Sequence, residues 1–365
     1  MKTQSSRMLR LVLAACAAAV LAACGGGGDE APTPAARVKY SRLISFGDSL
    51  SDVGSYATPG VKAAGGGRYT VNAPGARVWV EVLASDWLGV AAPCAAEVGL
   101  NSVEAVPTVA PLRSMPAVTN AGCTGYAQGG ARVTDPVGPG NRALFDLAGD
   151  SSGAIGQLTK PVVAQIAAFH AANPAGFKAD EVVTVLAGAN DLFIQLGRAR
   201  AGATDMGPQM VTAAAQLANL IKTEIVAKGA KKVVVLNVSD VSATPFGLSQ
   251  SAQNQAAILG LVTAYNDRLK ADLAGTQGVL FVDLFARIKA LSSDPTGAAR
   301  VGLTNLTATA CDLTKVPTSL LCNSSTVVAA NVSGYAFADS VHPSPRAYAL
   351  IAGIVAEDML KAGWL

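Results

Sequence analysis

Leu43-Ile44-Ser45-Phe46-Gly47-Asp48-Ser49 is a short apolar run closed by a glycine and followed at once by two polar residues. Three later stretches have the same character. Glu181-Val182-Val183-Thr184-Val185-Leu186-Ala187 leads into Gly188, and Lys232-Val233-Val234-Val235-Leu236-Asn237-Val238 and Gly278-Val279-Leu280-Phe281-Val282-Asp283 complete the set. Runs of about four to seven β-branched residues with little polar alternation are the pattern of parallel strands covered on both faces. Between and around them the spacing predicts helices near 76–88, 160–172, 209–228, 250–273 and 345–362. In the fourth, Ile258, Leu261, Val262, Tyr265 and Leu269 recur at helical spacing, with Asn266, Asp267, Arg268 and Lys270 on the opposite side. Strand–helix alternation of this kind predicts an α/β fold, a doubly wound layer sandwich on a mostly parallel sheet.

The composition agrees with a buried core. Of 365 residues, 50% are apolar and 15% charged, and Gly with Pro make about 15%, below the roughly 25–30% of low-complexity chains. The Gly/Pro-rich segment 89–140 and the stretch 292–335 read as loop excursions from a domain spanning 41–365. Loops of that length are usually functional or pinned.

The N-terminus reads as a processing segment. Lys2, Arg7 and Arg10 precede an apolar stretch from Leu11 to Ala23, and no acid occurs before Asp29. That stretch would cover about 20 Å as a helix, against about 30 Å of hydrocarbon in a bilayer, so residues 1–23 are expected to be a signal peptide. Leu21-Ala22-Ala23-Cys24 resembles the lipobox of bacterial lipoproteins, which implies lipid attachment at Cys24 and membrane anchoring. Gly25 after that cysteine resembles lipoproteins sent to the outer membrane; ordinary secretion is the alternative. Residues 24–40, rich in Gly and Pro, would be the tether. Removal of 1–23 leaves 25 basic and 25 acidic residues, and no basic run or aromatic platform points to nucleic acid. Cys94, Cys123, Cys311 and Cys322 remain. In an oxidising compartment they are disulfide candidates, most simply as sequence neighbours, Cys94 with Cys123 and Cys311 with Cys322. With only His170 and His342 to add and no Cys-x-x-Cys spacing, nothing suggests a metal site. His170, inside a helical pattern, reads as a surface or rim residue.

Four stretches could carry chemistry. Phe46-Gly47-Asp48-Ser49-Leu50-Ser51-Asp52-Val53-Gly54 puts a serine just past a buried strand, where open α/β sheets place ligands, although an isolated Gly-Asp-Ser would do no more than cap a helix. Asp339-Ser340-Val341-His342-Pro343-Ser344-Pro345 places a carboxylate three residues before a histidine, close enough to fix the ring's tautomer through Nδ1. There Ser344 and Pro345 are fit to begin a helix. Leu186-Ala187-Gly188-Ala189-Asn190-Asp191-Leu192 offers an asparagine amide at another strand end, either a turn residue or a donor to a developing oxyanion. Tyr126-Ala127-Gln128-Gly129-Gly130-Ala131-Arg132 has a glycine pair whose backbone can approach a substrate.

Taken together, in this order, the four stretches resemble the SGNH (GDSL-type) hydrolases, an esterase and lipase superfamily. The blocks are Gly47-Asp48-Ser49-Leu50 with Ser51-Asp52, the Gly129-Gly130 pair, Gly188-x-Asn190-Asp191 and Asp339-x-x-His342. Arg68-Tyr69-Thr70-Val71-Asn72 and Val78-Trp79-Val80-Glu81 are similar to its bacterial lipase/phospholipase branch, while Ser55 and Gly125 depart from the family pattern. The resemblance implies a three-layer α/β/α sandwich on a flavodoxin-like sheet and a serine-dependent carboxylic-ester hydrolase without a cofactor. It implies Ser49 as nucleophile, His342 as base and then acid, and Asp339 as its orienting carboxylate. The oxyanion donors would be the Ser49 N–H, Gly130 (or Gly129) and Asn190. The substrate would be an acyl lipid or other small ester. Polysaccharide O-deacetylation or acyl transfer on the same fold is the alternative, and a surface lipoprotein that only binds is the non-enzymatic one. The Gly-x-Ser-x-Gly elbow of α/β-hydrolases is absent around Ser49.

Overall fold

The four apolar runs become the central sheet. In the computed structural model, which describes residues 38–100, 115–139 and 159–365, β1 (Arg42–Gly47), β4 (Glu181–Leu186), β5 (Val233–Leu236) and β6 (Val279–Val282) lie side by side in that order. All neighbours are parallel, with Ile44 opposite Val183, Val185 opposite Val235, and Val235 opposite Phe281. On the free side of β1, residues 124–126 run parallel to it: the Ser45 N–H donates to Thr124 O and the Tyr126 N–H to Ser45 O. The chain therefore leaves β1 toward one side and returns as β4 on the other. The carboxyl ends of β1 and β4 thus mark a reversal in strand order, the crevice in which open α/β sheets hold ligands.

Side chains alternate across the sheet with a period of two. Ile44, Phe46, Val183, Val185, Val233 and Val235 are buried on one face, beneath α3 (Val162–Ala172), α5 (Met206–Leu220, extended by a π-helical turn Ile221–Val226) and α7 (Ala252–Leu273). Leu43, Val182, Val234 and Leu236 are buried on the other, beneath α2 (Trp79–Val82, continuing as a π-helix Leu83–Leu88) and α10 (Pro345–Lys361). This is a mostly parallel α/β sheet flanked by helices. The chemistry of the caps decides where helices start: the Ser251 hydroxyl accepts from the Asn254 N–H and that of Ser344 from the Ala347 N–H, with Pro345 in the first turn.

The structure departs from expectation at α4 and at Asn266. Residues 189–200, where the spacing predicts no helix, form helix α4 (Ala189–Arg200). Asn266 does not face outward: it is buried, accepting from the Val238 N–H and donating to Val238 O. His170 is part-buried, with Nε2 2.8 Å from Glu224 O and its ring against Phe169 and Phe177. The excursions hold regular structure as well, an antiparallel pair β2 (Glu97–Leu100) and β3 (Met115–Thr119), and a parallel pair β7 (Asn305–Thr309) and β8 (Tyr335–Phe337). Cys94 is bonded to Cys123 and Cys311 to Cys322. The expected signal peptide, Cys24 and the tether up to residue 37 lie outside the described residues.

Candidate active site

The serine is delivered by a turn that only glycine can enter. At Gly47 the backbone adopts φ +144° and passes so close to β4 that a Cβ there would stand 2.1 Å from Leu186 O. The Gln165 amide, from α3, clamps the same residue on both sides, accepting from its N–H at 2.8 Å and donating to its carbonyl at 2.8 Å. The Asp48 N–H then donates to Leu186 O, the Asp48 carboxylate accepts from the Leu50 N–H, and the Trp79 indole N–H reaches Ser51 Oγ. Ser49 is left at the carboxyl end of β1 with its hydroxyl toward His342.

His342 arrives from the far end of the chain. Its Nε2 lies 2.8 Å from Ser49 Oγ, across 293 residues of sequence. Its Nδ1 lies 2.8 Å from Asp339 Oδ2 and 2.9 Å from Oδ1. The Asp339 carboxylate is buried and also accepts from the N–H groups of Val341, His342 and Ser319. Burial alone would push this acid up. The attraction of His342 once its ring takes a proton, with the hydrogen bonds from His342, Ser319 and Val341, outweighs it and holds the carboxyl below its usual range. An ionised carboxylate only accepts, so Nδ1 carries the proton and the Nε2 lone pair faces the serine hydroxyl.

Neighbouring loops hold this pair in place. The Asn72 side chain donates to Ser319 O and Cys322 O, which fixes the strand of loop whose Ser319 N–H meets Asp339. The Cys311–Cys322 bond closes that loop. The Tyr69 ring lies against the imidazole with centroids 4.7 Å apart. Gln165 carries no sequence signal of its own, and the block holding Tyr69 and Asn72 is marked by resemblance without showing these roles. Their contacts join segments that only the tertiary fold brings together.

The glycine pair and the asparagine meet on the other side of Ser49. Gly129 spends its N–H on Asp52 Oδ2 at 2.9 Å, and Asp52 also accepts from the Gly54 and Ser55 N–H groups and the Ser55 hydroxyl. The N–H groups of Gly130 and Ser49 have no hydrogen-bond partner among the described residues. The Asn190 amide donates one hydrogen to Ala131 O at 2.9 Å, which leaves the second free. Asp191 ties the same loop down through Arg132 Nε and the Val133 N–H.

Asp48, Ser49, Gly130, Asn190, Asp339 and His342 all border one cavity of about 420 Å³. Burial raises the Asp48 carboxyl to about 7, and it raises Asp191 against the opposing pull of Arg132.

A serine hydroxyl hydrogen-bonded to an imidazole at the crevice of a parallel sheet is an arrangement suited to nucleophilic acyl transfer. Sequence comparison agrees over most of the chain: the family described as GDSL-like lipase/acylhydrolase matches residues 43–355, and the chain belongs to that family. A GDSL esterase/lipase of Arabidopsis thaliana is 25% identical over 135 residues, 34% of this chain and 37% of that protein. The chain thus matches little more than a third of the length of that relative.

Proposed function

We propose that the protein hydrolyses carboxylic esters of apolar acyl groups through an acyl-enzyme on Ser49. The observation that carries this reading is the pair of 2.8 Å contacts from Ser49 Oγ to His342 Nε2 and from His342 Nδ1 to Asp339. As Oγ forms its bond to the acyl carbon, its proton passes to Nε2, and the carbonyl oxygen becomes an oxyanion. The free N–H groups of Ser49 and Gly130 and the spare Asn190 hydrogen are suited to receive that charge. The carbon–oxygen bond to the alcohol then breaks, and the alcohol leaves with the proton from Nε2. A water molecule repeats the sequence, giving its proton to Nε2 and releasing the acid as Oγ recovers its hydrogen. Asp339 keeps the ring in the required tautomer throughout. Apolar cavity walls, including Phe193, Phe246 and Val241, favour an acyl lipid or other apolar ester.

Replacing the nucleophile tests this. Ser49→Ala should lower kcat on a chromogenic ester by about 10⁶ without lowering Tm. Turnover within a few-fold of the parent chain would exclude the mechanism.

A further inference from the structure

The hydrolase reading leaves open what length of acyl group the site takes, and one wall of the cavity speaks to that. Of the α4 residues that border the cavity, Asn190, Phe193, Gly197 and Arg200 are three and four apart and so align in a stripe, with Ala189, Ile194 and Leu196 beside it. The stripe begins at the amide suited to the carbonyl oxygen. It passes the crossed rings of Phe193 and Phe246, 5.4 Å apart at 84°, and ends at Arg200, which is exposed and has no ion pair among the described residues. His342 must give a proton to the leaving oxygen, so the alcohol belongs on the side of the imidazole and the acyl chain along α4.

Gly197 is the unusual member of this stripe. Apart from proline, glycine is the residue least suited to a helix interior, and the backbone does not require it here. Its φ is outside the left-handed region, and an added Cβ would meet nothing within 4 Å. Among the described residues no neighbour excludes a side chain, and Gly197 borders the cavity. Gly207, Gly260 and Gly353 also stand in helices facing open space, but none of them borders it.

The helical rise of 1.5 Å puts Gly197 about 10 Å along the wall from Asn190, and Arg200 about 15 Å. An extended hydrocarbon built from bonds of about 1.5 Å advances roughly 1.25 Å per carbon, so it reaches Gly197 near its eighth carbon and Arg200 near its twelfth. We propose that Gly197 is a specificity-determining residue, its missing side chain admitting medium-chain acyl groups of about eight to twelve carbons past the middle of α4. The inference rests on the acyl-enzyme reading.

The experiment compares the parent chain with Gly197→Ala, Gly197→Leu and Gly197→Trp on 4-nitrophenyl acetate, butanoate, octanoate and dodecanoate, with circular dichroism to establish folding. The parent should have its highest kcat/KM on octanoate or dodecanoate. The Trp and Leu variants should stay within about threefold of the parent on acetate and fall by at least about tenfold on octanoate and dodecanoate, mainly through KM, with Ala between. A second series, with butanoyl fixed and the alcohol varied, should not separate parent from variants. An unchanged acyl profile in the folded Trp or Leu variant, or a change confined to the alcohol series, would overturn the proposal while leaving the hydrolase reading intact. A parent chain that turns over no ester, short or long, would remove that reading and this one with it.

Discussion

Asp48 shows how an individual residue of the site can be a burden on the fold. Its side chain is buried beside the nucleophile, and burial pushes its carboxyl up to about 7 from an ordinary 3.8. Below pH 4 it is protonated folded or unfolded, and the site costs nothing. Between pH 4 and 7 the unfolded chain releases the proton and the folded one retains it, so stability falls as pH rises. Above about 7 both are ionised and the penalty is constant. Asp339 runs the other way: its depressed value lends stability above the usual carboxylate range, which is lost as pH falls through its folded value. An asparagine at 48 keeps the oxygen that accepts from the Leu50 N–H and cannot ionise. Asp48→Asn should therefore raise the unfolding free energy, and with it Tm, least at pH 4 and progressively more up to pH 7, the free-energy gain levelling at no more than about 4 kcal/mol. A Tm difference that does not vary with pH would show that the residue titrates as an ordinary acid. The same scale shows what single residues reveal in a sequence. Ser49 and Asn190 stood out because their chemistry sits in short blocks at strand ends, and Asp339 and His342 because a carboxylate precedes a histidine by three residues on a turn before a helix. Gly129 and Gly130 could not be told apart, because the difference between their N–H groups is made by Asp52, 77 positions away from Gly129.

Among the elements, the seam between β1 and β4 matters most to the site. It holds Gly47 against Leu186 O with no room for a methyl group, and Gln165 clamps the same residue from α3. Gly47→Ala must shift one strand end or the other, so it should cost about 2–4 kcal/mol and reduce turnover together with Tm. A variant with the parent's melting temperature and full activity would show that the seam is slack. The buried strands were legible because burial on both faces leaves continuous β-branched runs, α7 because apolar residues recur at helical spacing, and α10 because Ser344 and Pro345 are fit to begin a helix. Helix α4 was not, because Gly188-Ala189-Asn190-Asp191 has the residue chemistry of a turn while Gly188, at φ +119°, serves as its N-cap. Asn266 was misplaced for a related reason: an amide that satisfies a backbone N–H and C=O in the core is indistinguishable in sequence from one facing water.

At the scale of the whole molecule, the site draws together stretches from both ends of the described chain and its middle. Ser49 comes from the first strand, Gly130 from the segment beside it, Asn190 from the start of α4, and Asp339 and His342 from the turn before the last helix. The order of the blocks in sequence revealed that they belong together, since a parallel sheet collects strand ends at one edge. What supports them was hidden. The link from Asn72 through Ser319 to Asp339 depends on loops whose paths follow from the Cys311–Cys322 bond and from packing, not from any local pattern. On the proposed mechanism, this convergence activates a single hydroxyl, that of Ser49.

A fluorophosphonate, which phosphonylates a serine with loss of fluoride only where a base removes the serine proton and the oxyanion is stabilised, tests this directly. Incubation of the parent chain followed by peptide mass spectrometry should find one adduct, on Ser49, absent from Ser49→Ala and formed far more slowly in His342→Ala. No adduct on Ser49, or an adduct there formed equally fast without His342, would contradict it.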